Sequence, residues 1–157
     1  MAVTSTPIFP QTPNAGAMNC IVSTAMTNTK AMDGTEAVGT AMALAFTAGS
    51  NGARVDTISV RYTATNGSTA TGTTAATVLR FWLNNGAVNT TATNNKFLYE
   101  IAMPAQTVTA LATGAQAPSI PIVLGISIPA GYRIYVGSTV AAGGVLAFLA
   151  DVVGGDY

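Results

Sequence analysis

Glu100 and Asp56 are the carboxylates in this chain best placed for acid–base chemistry. Two carboxylates across a cleft can hydrolyse a glycosidic bond, one protonating the leaving oxygen while the other activates water or attacks. Their neighbours argue for another use. Arg80 is the expected cross-strand partner of Glu100, and Asp56 stands near Arg54 and Arg61, so structural ion pairs account for both. A serine or threonine nucleophile needs a base, and the sequence contains no histidine. Cys20 is the single cysteine, so it has neither a disulfide partner within the chain nor a histidine for a thiolate pair or zinc site. Beside Ile21 and Val22 it reads as a small buried hydrophobe. Asp33-Gly-Thr-Glu36 and the pair Asp151 and Asp156 are too sparse for the roughly six to eight oxygens that calcium takes. No glycine-rich loop carries the lysine of a phosphate cradle. Asn66-Gly-Ser and Asn89-Thr-Thr match the glycosylation pattern, which arises often by chance in loops of this composition. The expectation is a chain with no catalytic residue, no cofactor and no metal.

The composition directs attention to surfaces. A length of 157 residues suits one domain with a substantial core. Charged residues make up 8%, against about 25% in an average soluble protein, and hydrophobic ones 49%. Six basic and six acidic residues cancel, so the counterion-displacing stripe of a nucleic-acid binder is missing. Surfaces this close to neutral tend to associate, which points to coverage by partners or by copies of the same chain. The uncharged run from Ile101 to Tyr132 is broken by Pro104, Pro118, Pro121 and Pro129, so it does not read as a membrane span. The N-terminus lacks the basic start and continuous apolar run of a secretory signal.

Those surfaces must be carried by strands. Residues 1–17 contain Pro7, Pro10 and Pro13, which favour an extended arm without sheet pairing, and Ile8 and Phe9 are its only large apolar pair. The remainder, 18–157, reads as one domain. Strand patterns fall at Met18–Ala25, Val38–Phe46, Arg54–Thr63, Thr77–Leu83, Phe97–Met103, Ile120–Ile128, Tyr132–Val136 and Val145–Val153. In the second, Met42, Leu44 and Phe46 alternate with alanines, placing bulky side chains on a core face, although its Ala, Met and Leu would also suit a helix. The stretch Ala64–Ala75 is nearly all Thr, Gly, Ser, Asn and Ala and is expected to be an exposed loop. Ile126 and Ile128 alternate into Pro129-Ala-Gly131, and Tyr132, Ile134 and Val136 alternate out, which reads as a tight hairpin with Gly131 supplying a positive φ. About eight short strands with frequent turns predict an all-β, antiparallel two-sheet sandwich of the jelly-roll kind.

One register can be written down in advance. Setting Phe81 opposite Tyr99 brings Leu79 to Ile101 and Leu83 to Phe97 on one face, and Arg80 to Glu100 on the other. Trp82, with Tyr99, Tyr132 and Tyr135, offers a second kind of function, an aromatic face that stacks on sugar rings. That use requires Trp82 to be exposed beside another aromatic.

With the strands placed, the order of motifs resembles a family of head decoration, or cement, proteins of tailed bacteriophages. The matching stretches are Thr6-Pro-Ile-Phe-Pro-Gln-Thr12, Asn51-Gly-Ala-Arg-Val-Asp-Thr-Ile58 and Leu79-Arg-Phe-Trp-Leu-Asn-Asn-Gly86. Leu98-Tyr-Glu-Ile101, Ile128-Pro-Ala-Gly-Tyr132 and Gly154-Gly-Asp-Tyr157 complete the set. The resemblance implies a β-sandwich on the virion exterior that binds the major capsid protein and copies of itself as a homotrimer, with no nucleic acid and no membrane. The alternative is a receptor- or glycan-binding module of a head fibre or tail. The residues expected at an interface are Ile8, Phe9, Trp82, Arg133, Tyr135 and Tyr157.

Overall fold

β-Branched and aromatic residues alternating with polar ones make strands, and the computed structural model shows eleven of them among residues 9–16, 20–22, 42–64, 71–89, 91–109, 119–142 and 146–157, which it describes. In chain order they are β1 (Thr12–Asn14), β2 (Ile21–Val22), β3 (Met42–Thr47), β4 (Ala53–Ala64), β5 (Thr71–Thr73) and β6 (Thr77–Asn84). Then follow β7 (Asn95–Met103), β8 (Thr107–Thr109), β9 (Ile120–Ile128), β10 (Arg133–Ser138) and β11 (Leu146–Asp156). One sheet runs β1-β11-β4-β9, with β2 also on β11, and the other runs β3-β10-β6-β7. All of these pairings are antiparallel. Setting aside the three-residue strands β1, β5 and β8, the remaining eight pair first to eighth to third to sixth, and second to seventh to fourth to fifth. That is the jelly-roll order.

The sequence pattern fixes which side chains the two sheets enclose. Val55, Ile58 and Val60 from one sheet and Phe46, Phe81 and Ile134 from the other are fully buried between them. Burying each such side chain stabilises the fold by about 1.5–3 kcal/mol. The isoleucines of β9 point to this core in the expected parity: Ile122 and Ile128 are buried, and Ile120, Leu124 and Ile126 pack against it. β9 is an edge strand, the position where Pro121 removes no needed ladder donor.

Several expectations are corrected. The Pro129–Tyr132 corner is not a hairpin. β9 pairs β4 in one sheet, β10 pairs β3 and β6 in the other, and the corner carries the chain across the sandwich. Its turn chemistry is as expected, with Tyr132 N donating to Pro129 O at 3.2 Å and Gly131 at φ 71°. Ile128 and Ile134 both face the core, but from opposite walls.

The β6–β7 register holds from Thr77 to Phe81, with Arg80 opposite Glu100 and Phe81 opposite Tyr99. A bulge then leaves Leu98 without an opposite residue, so Trp82 meets Phe97 and Leu83 meets Lys96, and the expected Leu83–Phe97 pair does not form. A second bulge, at Ala45, breaks the alternation in β3. Phe46 therefore joins the main core, Met42 goes to the other face of its sheet, and Leu44 is exposed. The helical alternative for this segment is not adopted.

Short strands also form where a loop and a free arm were expected. β5 pairs β8 in a separate two-stranded sheet, with Thr73 Oγ1 and Thr107 Oγ1 3.0 Å apart. β1, inside the proline-rich stretch, pairs Thr12 with Asp156 and Asn14 with Gly154. The described part of the expected 1–17 arm is thus an edge strand of the domain. The expected first strand is described only at Cys20 and over Ile21–Val22, and the Lys30–Thr35 turn lies outside the described residues.

Where β4 bulges at Asp56 against β11, a Cβ added at Gly154 would stand 2.2 Å from Arg54 O. Gly154→Ala should therefore force the strands apart and lower stability by at least about 2 kcal/mol, read from the midpoint of chemical denaturation.

Candidate interaction surface

The residues that could meet a partner gather where the two ends of the described chain come together. β11 continues through Gly154 and Gly155, and the lack of side chains there admits a close neighbour: a Cβ at Gly155 would lie 2.6 Å from Pro10 Cβ. Gln11 N donates to Asp156 O at 2.8 Å. Asn14 Nδ2 reaches both Asp156 carboxylate oxygens, at 3.0 and 3.1 Å, and Thr47 O at 3.1 Å. From the turn before β4, Gly49 N donates to Asp156 Oδ1 at 3.0 Å. The Pro129 corner joins the same group, since Gly131 N donates to Gly49 O at 3.3 Å and Ala48 N to Tyr132 O at 2.9 Å. Beside it Tyr157 N donates to Gly52 O at 3.1 Å, Asn51 Nδ2 to Tyr157 O at 3.2 Å, and the Tyr157 hydroxyl lies 2.5 Å from Ser127 Oγ. Segments far apart in sequence thus make one pole of the sandwich.

At this pole Phe9 is 70% exposed. Pro10, Gln11, Pro129 and Ala130 are also exposed, and Tyr157 and Arg133 are half-buried. Arg133 is in register with Thr47 on one side and Asn84 on the other. Among the described residues it has no ion-pair partner. Phe9, Arg133 and Tyr157 are therefore brought to one end of the molecule. Ile8 lies outside the described residues.

Trp82 and Tyr135 are corrected. Trp82 is fully buried and Tyr135 is 5% exposed, so neither offers a surface to a partner. They sit in register on the sheet face opposite Phe81 and Ile134, with Met42 in the same cluster, and Trp82 meets Phe97 edge-on at 6.3 Å. The alternation that puts Phe81 in the main core puts Trp82 on this other face. Among the described residues the buried indole N–H has no hydrogen-bond partner. This burial removes the observation that a sugar-stacking platform requires.

Glu100 and Asp56 are paired as the sequence suggested, with Arg80 and Arg54, while Arg61 pairs with Asp151 rather than with Asp56. Arg80 Nε lies 3.1 Å from Glu100 Oε2, Arg54 Nε 2.7 Å from Asp56 Oδ1, and Arg61 Nη2 3.1 Å from Asp151 Oδ2. Each pair is largely solvated and contributes at most about 1 kcal/mol. Asp56 and Glu100 stand on different sheets, each engaged by its own arginine. Among the described residues no three His, Cys, Asp or Glu side chains cluster as metal ligands, and no helix is long and apolar enough to cross a membrane. Asn89, in one glycosylation-like triplet, has its side chain buried, while Asn66 in the other lies outside the described residues.

Comparison with protein-family models, with curated proteins and with solved structures returned no match. The surface must be interpreted from its own chemistry. Sequence reasoning missed Asp156, Asn14 and Gly49. The available signal was Gly154-Gly155, two residues without side chains before a lone carboxylate, which reads as a tail but serves as a place of close approach.

Cys20 is buried, and this desolvation, with the Asp151 charge adding to it, pushes its thiol up to about 12 from an ordinary 9.0. Tyr62 is also raised by burial and donates to Pro104 O. A raised folded-state value means that stability is intact below the unfolded pKa and declines as pH rises beyond it. Denaturation midpoints should therefore fall as pH increases from 9.0 toward about 12. Cys20→Ala should reduce that slope without abolishing it, because Tyr62 acts in the same direction. For Trp82, the chain's only tryptophan, emission should be blue-shifted and protected from iodide until the protein unfolds.

Proposed function

We propose that this chain is a virion structural protein of a tailed bacteriophage, a decoration or cement protein that binds the outer capsid surface and stabilises the shell. The observation that carries the reading is Phe9. It is 70% exposed, the most exposed aromatic among the described residues, and stands one residue before a segment pinned to the sheet, which makes it the ring this reading assigns to the shell contact. The zero net charge, the pairing of Asp56, Glu100 and Asp151 with arginines and the ordered motifs that resemble cement proteins support the same reading. Four of those six motifs meet in space: Phe9 to Gln11, Asn51 to Arg54, Pro129 to Tyr132 and Gly154 to Tyr157 all contribute to one pole. The chain acts there as a homotrimer, the assembly that the resemblance implies.

Display on a symmetric shell lets modest contacts add through avidity. The physical effect is a clamp. Apolar surface buried between the pole and the capsid is lost if the capsid subunits separate, so bound copies resist expansion of the shell.

The test is cosedimentation of purified protein with undecorated shells of the phage that encodes it. Wild type should pellet with shells and remain in the supernatant alone. Phe9→Ala should leave the denaturation midpoint unchanged and weaken shell binding at least about tenfold, as burial of a phenylalanine predicts. Failure of wild type to cosediment would overturn the proposal.

A further inference from the structure

Residues 9–16 are fastened to the domain in an unusual way. Thr12 and Pro13 are exposed and Asn14 only half-buried, so the strap contributes little to the hydrophobic core. Its attachment is polar, a short backbone ladder to β11 together with side-chain bonds that converge on Asp156. The Asp156 carboxylate accepts from Asn14 Nδ2 through both oxygens, at 3.0 and 3.1 Å, and from Gly49 N at 3.0 Å. No cationic side chain pairs with it among the described residues. Asn14 Nδ2 also donates to Thr47 O at 3.1 Å, on a strand of the other sheet, and Asn14 Oδ1 accepts from Gly16 N at 3.0 Å. One carboxylate and one amide therefore join β1, β11, the end of β3 and the turn before β4. Elements attached by exposed polar contacts open at low free energy, whereas core strands do not.

From this geometry we infer that residues 9–16 are a strap with an open and a closed state, and that Asp156 is its latch. Closure fixes the backbone immediately after Phe9 and so holds that side chain out at the pole. A partner taking Phe9 then meets a segment already ordered, and apparent affinity scales with the fraction of molecules whose strap is closed. This last step rests on the proposed role of the pole in shell binding, but the latch itself does not.

The test is amide hydrogen exchange on the free protein. Gln11 N–H bonds the backbone oxygen of residue 156, which survives side-chain substitution, so it reports strap opening rather than loss of the carboxylate. Two variants reach the latch from opposite sides. Asp156→Ala removes the carboxylate. Gly49→Ala leaves it but displaces it, because the added Cβ would stand 2.8 Å from Asp156 Cγ. Both should accelerate exchange at Gln11 and Gly16 at least about tenfold, while Ile58 and Phe81 remain protected as in wild type. Random-coil exchange at Gln11 in wild type, or unchanged exchange there in both variants, would overturn the latch. In cosedimentation, a closed fraction of about one in ten would weaken shell binding about tenfold with Phe9 intact. Faster exchange with undiminished shell affinity would overturn the display of Phe9 by the strap. Should wild type bind no shells, the capsid role fails, and the exchange result still decides the latch.

Discussion

The structure depends on the backbone pairing of β11. Its ladder with β4 runs from Leu146 opposite Ala64 to Asp156 opposite Ala53, and its other edge receives β2 at one end and β1 at the other. Among the described residues both N-terminal strands are joined to their sheet through β11 alone. The core side chains Phe148, Ala150 and Val152 keep their parity through this strand, and the change to glycine at Gly154 comes where the chain must pass closest to β4. Side-chain packing holds the two sheets together, while main-chain hydrogen bonds to β11 hold the beginning of the chain to the rest.

Surface chemistry follows from that division. Among the described residues three short-range pairs on the sheets neutralise six of the charged side chains, which weakens long-range steering of a charged partner. Apart from Arg133 and the Asp156 carboxylate, the pole is built from main-chain groups, amides, prolines, Tyr157 and one exposed phenylalanine. Such a surface suits recognition through shape and apolar contact more than through electrostatic steering. It also explains why residue types alone did not mark it, since none of its members is a reactive group.

Much of the fold could be read from the chain because strand periodicity and turn residues are local properties. Ile58, Val60 and Tyr62 share a face as their spacing requires, and Arg80 finds Glu100 across the ladder. What could not be read was non-local. Two alternating runs around Pro129 look the same whether they pair with each other or lie in facing sheets, because both arrangements place Ile128 and Ile134 inside. The bulges at Leu98 and Ala45 each reverse the parity of a strand without any residue type that announces it. Trp82 misled for a related reason. An aromatic opposite in parity to a core phenylalanine reads as exposed, yet this sheet buries side chains on both faces. The pole was invisible until segments from both ends of the sequence were brought together.

The place of β11 in the sheet also has a consequence for biogenesis. Ile21 and Leu149 are partners, and so are Thr12 and Asp156, so the earliest strands to leave the ribosome must wait for the last described one. Until β11 is synthesised, β4 lacks its neighbour on that side and the N-terminal segment has no sheet edge to join. Local order can form earlier around β6 and β7, whose connection is short and stays within one sheet. Completion of the sandwich is a late, long-range closure of the kind that slows folding. Until that strand emerges, the nascent chain presents the β4 edge that β11 later covers.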